Sequence, residues 1–260
     1  MNETYNIALQ IQYDGTDYLG WQVQNNRNTN PKTIQGTIEA VISKILNSET
    51  KIIAAGRTDT GVHANMQLAN FHTNKKLDLY KFKHAINSLL NHDIRIVKIK
   101  EVDTDFHSRY SCIKREYVYN ILNDDICSPF EYRYLHHVKF PIDVNTMQEA
   151  LNKIIGTYDF RPLSAKVEDD YNTIRTISDI RVSKLNNQNL ITIRLIADGF
   201  LRKMVRMIIG ATIGLIKNKY STSGLLEILN EDKNPYYFSA APAKGLFLDK
   251  VWYNDHLPGV

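Results

Sequence analysis

Apolar and polar positions change period several times along the chain, and each change marks an element. Residues 6–13 are rich in β-formers and read as a strand. Over residues 33–46 the apolar side chains Ile34, Ile38, Val41, Ile42 and Ile45 recur at the spacing of one helical face. The short apolar run 52–55 reads as the end of a strand, and 67–73 alternates as another. Leu79, Phe82, Ile86 and Leu89 predict an amphipathic helix over 78–90, and a strand follows at 94–102. The order is strand, helix, strand, strand, helix, strand.

The second half repeats it. Residues 115–122 alternate as a strand. Val144, Met147, Leu151 and Ile154 predict a helix over 144–155. Two strands, 174–185 and 190–197, flank the turn cluster Asn186-Asn187-Gln188-Asn189. A long helix is expected over 200–216, with Phe200, Met204, Ile208 and Ala211 as its core stripe, and a strand at 246–253 closes the chain. Two successive βαββαβ units predict an α+β fold of two ferredoxin-like halves, their antiparallel sheets joined side by side. The halves share no residue-level repeat, and no Pro- or Gly-rich linker separates them. The boundary is expected near residues 106–111, giving an N-terminal half at 1–107 and a C-terminal half at 108–260. Residues 25–30 read as a polar loop.

Composition narrows the class without choosing a function. Of 260 residues 43% are hydrophobic and 23% charged, as in a soluble globular protein able to bury a real core. No apolar run approaches the roughly 18 residues a membrane span needs. The first residues lack the basic and apolar regions of a signal peptide, so a cytoplasmic protein is expected. Two cysteines, Cys112 and Cys127, supply neither a disulfide framework nor a metal site. His63 and His72 have no partners at metal-ligand spacing, and the adjacent His136 and His137 point to opposite faces if extended. The net charge of +4 permits RNA binding without demanding it. Basic residues do cluster, at Arg109, Lys114 and Arg115, and again at Arg202, Lys203 and Arg206. Such clusters are either solvated faces or phosphate contacts.

The stretch AAGRTDTGVHA (54–64) concentrates the candidate chemistry. Two glycines bracket a guanidinium, a carboxylate and two hydroxyls, with an imidazole just beyond. Asp and Thr are ordinary turn residues, so a hairpin turn is one reading. A catalytic loop with one essential carboxylate, Asp59, is the other. Elsewhere Tyr117 and Tyr119 in KREYVY (114–119) share one strand face, either as half-buried sheet tyrosines or as a surface for a base. The aromatics of YDGTDYLGWQ (13–22) are likewise either core or a stacking surface.

Five motifs in one order resemble those of the tRNA pseudouridine synthase A family: YDGTDYLGWQ, TIQG (33–36), GRTDTGVHA, the Arg-x-Tyr pattern at Arg115 to Tyr117, and GFL followed by MVR at 199–206. The tail APAKGL (241–246) matches as well, with Ala243 where a second proline is common. The resemblance covers nearly the whole chain. It implies isomerisation of uridine to pseudouridine at positions 38, 39 and 40 of the tRNA anticodon stem-loop, by a homodimer with no cofactor or metal, in a cleft between the halves. It implies that Asp59 is the catalytic residue, that Arg206 pairs with it, and that Tyr117 packs on or hydrogen-bonds the target base. Arg suits that pairing because its fork fixes a carboxylate and keeps its proton. Arg57 either grips phosphate or braces the turn. Arg115, Arg202 and Lys203 are the further candidates for substrate contact.

Two rival readings remain on the residues. One is a non-catalytic RNA-binding module, a common use of ferredoxin-like folds, which has no need of the Arg-Thr-Asp loop. The other is a carboxylate-dependent hydrolase built on Asp103 and Asp105, which lacks a phosphate-cradling glycine loop.

Overall fold

The computed structural model describes residues 3–24, 32–166, 168, 170–185, 189–230 and 236–254. The expected loop at 25–30 and the first three residues of the 186–189 cluster lie outside them. The chain forms two compact units, Met1–Ile113 with Leu248–Val260, and Lys114–Phe247.

The first unit runs β1 (Tyr5–Tyr13), α1 (Ile34–Leu46), β2 (Ile53–Ala54), β3 (His63–Thr73), α2 (Leu79–Leu89) and β4 (Ile94–Val102). β1 pairs antiparallel with both β4 and β3, and β2 adds to β3, giving the order β4-β1-β3-β2. Helix α1 begins where the sequence expects: the Thr33 hydroxyl accepts the Gly36 N–H, and the left-handed Asn47 ends it. Its buried stripe is Ile34, Ile38, Ile42 and Leu46. Burying an aliphatic side chain of that size contributes about 1.5–3 kcal/mol. Glu39, buried on the same helix, accepts hydrogen bonds from Gln35 and from the Ile52 N–H, which ties the helix to the strand leading into the 54–64 loop. Asp78 caps α2, and Phe82 of that helix meets Phe71 of β3.

Strand β3 starts four residues earlier than the alternation suggests. Ile11 pairs with Gln67 but Tyr13 pairs with Ala64, so β3 carries a bulge at residues 65–66. A bulge breaks the two-residue period locally, which is why 63–66 do not read as strand, and it re-aims the chain at the end of the loop.

The second unit runs β5 (Lys114–Leu122), β6 (His136–His137), α3 (Val144–Asn152), β7 (Gly156–Asp159), β8 (Ile174–Leu185), β9 (Leu190–Ala197), α4 (Met204–Lys217) and α5 (Gly224–Asn230). β9 lies between β5 and β8, β7 extends the β8 edge, and the two-residue β6 runs parallel to β5. The βαββ core order thus carries three short additions, β6, β7 and α5, that the hydrophobic period does not announce. β10 (Leu246–Trp252) closes the chain and contributes most of its length to the first unit.

Helix α4 corrects one expectation. It begins at Met204 rather than at 200, because Lys203 adopts a left-handed backbone (φ 62°) that no helix interior accommodates. Met204, Ile208 and Ala211 are buried as the stripe predicts, but Phe200 precedes the helix. Arg202 also precedes it, so Arg202 and Arg206 do not share a helical face.

Candidate active site

Residues 55–62 link β2 to β3, and the 13–22 segment and the start of β3 both contact them. The Ala55 N–H donates to the Leu68 carbonyl at 2.8 Å. The fully buried Gln67 amide then brackets Gly56, its Oε1 accepting the Gly56 N–H at 3.3 Å and its Nε2 donating to the Gly56 carbonyl at 2.6 Å. The Thr58 carbonyl accepts the Trp21 N–H at 3.0 Å, and the Tyr13 and Thr58 hydroxyls meet at 2.8 Å. The Val62 N–H closes back on the Asp59 carbonyl at 3.1 Å, a tight turn that Gly61 permits at φ 74°. Asp59 sits at the start of that turn, half-buried, between the buried Thr58 and the exposed Thr60.

Two glycines of YDGTDYLGWQ let this loop lie directly on the 13–22 segment. A Cβ at Gly15 would fall 2.0 Å from the Val62 carbonyl oxygen. A Cβ at Gly20, whose φ is +84°, would fall 2.7 Å from the Thr58 oxygen and 3.1 Å from both the Asp59 carbonyl carbon and the Thr60 nitrogen. The buried His63 ends the clamp. Its Nδ1 lies 3.1 Å from both the Gly15 nitrogen and an Asp14 carboxylate oxygen. The TIQG motif joins in through α1, whose first N–H groups, from Ile34 and Gln35, donate to the carbonyls of Gly20 and Trp21. Tyr13, Tyr18 and Trp21 are each at most 5% exposed, so these motif aromatics are core rather than a stacking surface. Hydrogen bonding to Asp93 and burial hold the Tyr18 hydroxyl protonated well past its ordinary range, burial being the larger cause.

The residues expected to serve chemistry divide between the units. Arg57, exposed, and Asp59 belong to the first. Arg115, Tyr117, Arg202, Lys203 and Arg206 belong to the second. Within the second unit Tyr117 is 7% exposed and meets Phe200 edge-on, with ring centroids 5.1 Å apart. Tyr119, on the same strand face, is fully buried and donates to the Pro242 carbonyl at 2.9 Å. Arg206 lies on α4 with its Nε donating to the Ala241 carbonyl at 2.8 Å, while the Ala241 N–H donates back to the Arg206 carbonyl at 2.8 Å. The APAKGL segment therefore fixes both the Arg206 side chain and the Tyr119 hydroxyl. Arg115 donates to the Asp198 carbonyl at 2.9 Å, and Arg202 and Lys203 are exposed on the turn before α4. His136 packs edge-on against Tyr119 with its Nδ1 buried and making no hydrogen bond; burial first, then the positive charges of Lys244 and His137, push its pKa down to about 4. His137 instead contacts the Asp124 carbonyl at 2.7 Å.

Sequence reasoning singled out the Asp59 loop but missed Gln67 as its main brace. A buried amide standing in an apolar alternation is the signal that marks it, because such a group survives only when its hydrogen bonds are met. Among the described residues no group of three or more His, Cys, Asp or Glu is arranged to hold a metal ion, and no helix is long and apolar enough to cross a membrane.

Comparison with known proteins identifies the family. A family model described as tRNA pseudouridine synthase matches residues 9–111 and 150–254. A protein of Clostridium tetani (strain Massachusetts / E88) named tRNA pseudouridine synthase A 2 is 40% identical over 249 residues, covering 96% of this chain and 99% of its own. The tRNA pseudouridine synthase A of Thermodesulfovibrio yellowstonii is 41% identical over 257 residues, covering 95% and 99% respectively. Among solved structures, a chain of an archaeal box H/ACA sRNP Nop10-Cbf5 complex superposes with a TM-score of 0.34 at 13% identity, over 80% of this chain and 43% of its own, too loosely to bear on the fold. The matched segments contain the Asp59 loop, all of β1 from Leu9 onward, and α4 with Arg206, so the chain belongs to the tRNA pseudouridine synthase family of isomerases.

Proposed function

We propose that this protein converts uridine to pseudouridine at positions 38, 39 and 40 of the tRNA anticodon stem-loop, as a homodimer, with Asp59 as its one catalytic carboxylate and no cofactor. The observation that carries the reading is the bracing of the Asp59 loop. Gln67 hydrogen-bonds both sides of Gly56, Tyr13 and Trp21 hydrogen-bond Thr58, and the missing side chains of Gly15 and Gly20 let the 13–22 segment lie directly against residues 58–62. An ordinary hairpin turn needs no such support. A reaction that must find one carboxylate within about 0.5 Å of its place does.

The reaction breaks the bond from ribose C1′ to N1 of uracil and forms one from C1′ to C5. Atoms balance because the hydrogen lost from C5 is replaced by one gained at N1. The base must leave its stack to turn, and Tyr117, buried against Phe200 but for 7% of its surface, is the residue that packs on or hydrogen-bonds it at that exposed edge. Asp59 either attacks a carbon or removes the C2′ proton. Both roles need a single oriented carboxylate, and Arg206 orients it with the fork geometry that Arg brings to carboxylates. Arg57, Arg115, Arg202 and Lys203 meet the phosphates of the anticodon arm. Each is surface-accessible enough to do so, with Arg57, Arg202 and Lys203 exposed and Arg115 partly so.

The test is Asp59→Asn, which preserves size and turn preference while deleting the reactive oxygen. Pseudouridine is mapped in an unmodified tRNA transcript alongside tRNA binding and a melting curve. Turnover is expected to vanish while folding and binding persist, because phosphate contacts supply most of the affinity. Arg206→Ala is expected to lower turnover less completely. Residual turnover of the Asn variant above a few per cent of native would remove Asp59 from the chemistry, and modification at other positions would correct the substrate.

A further inference from the structure

The loop between β4 and β5 holds an aromatic side chain outward on a rigid mount. Tyr110 is 78% exposed, yet its ring is not loose: it stacks on His107 with centroids 4.3 Å apart and planes 29° from parallel. The His107 ring is itself fixed. Its Nδ1 accepts the N–H groups of both Arg109 and Tyr110, at 3.2 Å each, so its ring hydrogen sits on Nε2. The Arg109 guanidinium stands 5.7 Å from the Tyr110 ring centroid.

The inner side of the loop is fastened by buried amides. Asn6 and Asn70, both fully buried on neighbouring strands, donate to the Phe106 carbonyl, and Asn6 also donates to the Asp103 carbonyl at 2.8 Å. Asn70 accepts the Ser108 N–H at 2.9 Å, and the Tyr253 hydroxyl donates to the Ser108 carbonyl at 2.8 Å. Ser111 returns to His107 through two more hydrogen bonds. Two asparagines placed inside a β-sheet core cost apolar burial, and what they fix is the backbone beneath His107, Arg109 and Tyr110. Packing alone needs no exposed tyrosine at the outer end of that arrangement.

We propose that His107, Arg109 and Tyr110 form a stacking platform for an unpaired base of the RNA substrate, distinct from the uridine that is isomerised. Tyr110 takes the base on its open surface and extends the His107–Tyr110 stack. Arg109 meets the phosphate of the same nucleotide. A preorganised ring loses little freedom on binding, so the contact is efficient. RNA rather than a protein partner is the occupant because the platform pairs an aromatic plane with a cation and a donor imidazole Nε2–H and carries no carboxylate between His107 and Ser111. The inference rests on the proposed tRNA reading for its ligand, but its test is separable from it.

Binding of an unmodified tRNA transcript is measured for the full-length protein and its variants, with single-turnover pseudouridine formation at saturating protein. Tyr110→Leu is expected to weaken binding by about 5- to 150-fold, the worth of one base–aromatic stack. Tyr110→Phe is expected to bind as the native protein does. The saturated single-turnover rate is expected to stay native in both, so the Leu variant alone needs more protein to reach half of an unchanged maximal rate. Arg109→Ala is expected to reduce the salt dependence of binding by about one counterion. Melting curves accompany each variant, and Tyr110→Ser replaces Tyr110→Leu if the latter misfolds. Native affinity in the Leu and Ser variants overturns the platform, as does a changed molecular mass with unchanged RNA affinity, which would assign Tyr110 to self-association. A native protein that does not bind the transcript overturns it too. Native binding without pseudouridine formation would instead defeat the proposed activity, leaving the affinity comparison to decide the platform.

Discussion

Gly20 lies so close to the Asp59 loop that one added methyl group must move it. The Cβ of Gly20→Ala would sit 2.7 Å from the Thr58 carbonyl oxygen. Normal carbon–oxygen approaches stop near about 3.3 Å, so the shortfall is about 0.6 Å. Neither side yields cheaply, because the obstructing atoms are backbone. The Thr58 carbonyl is also the acceptor of the Trp21 N–H at 3.0 Å, one residue along from the substituted position. At φ +84° alanine pays a further cost of about 1–2 kcal/mol for the left-handed backbone. Each kcal/mol lowers the melting midpoint of a chain this size by about 2–4 °C, so a fall of a few degrees is expected. The effect on turnover is larger. A displacement of about 0.6 Å exceeds the roughly 0.5 Å tolerance of a catalytic group, and 1 Å costs about 100-fold, so turnover is expected to fall about 10- to 100-fold. The assay is tritium release from C5-labelled uridine in tRNA, under single-turnover conditions, well below the variant's melting midpoint. A rate within threefold of native, in a protein whose midpoint has dropped, would show that the loop tolerates the shift and that the clamp serves stability alone.

Tyr117→Phe is expected to retain most of the activity and Tyr117→Leu to lose a stacking contact worth about 1–3 kcal/mol; full activity in the Leu variant, measured as kcat/KM on tRNA, would reduce Tyr117 to a core side chain against Phe200. Because burial holds His136 neutral, with a folded pKa of about 4 against 6.5 when unfolded, protonation favours the unfolded chain. Its contribution to stability is therefore full above about pH 6.5 and is lost as pH falls toward 4, and His136→Phe is expected to flatten that part of the melting-midpoint profile. Gln67→Leu leaves the Gly56 N–H and carbonyl without partners, at about 1–3 kcal/mol, so both the melting midpoint and turnover are expected to fall. Light scattering at micromolar concentration is expected to give about twice the chain mass of 30.0 kDa, and a monomer would contradict the homodimer.

Local periodicity determined most of the element order. Helix α1 and strands β4, β8 and β9 lie where the apolar spacing puts them, since a helical stripe or a strict alternation reports which face is buried without reference to the rest of the chain. The motif residues likewise marked the Asp59 loop before any fold was known. What escaped the sequence were features whose cause lies elsewhere in space. The bulge at residues 65–66 hid the start of β3, because a bulge is set by the partner strand. The left-handed Lys203 delayed α4 past Phe200 and Arg202, although the apolar period runs through them. Short β6 and β7 exist only because a neighbouring strand offers them an edge. Most of all, nothing in the order of residues says that Gln67, Tyr13 and Gly20 brace one loop or that Asn6 and Asn70 fasten another. Those contacts join residues 11 to 100 positions apart, and the antiparallel pairing of β3 with β1 and with β2 brings their hydrogen-bonding groups within reach.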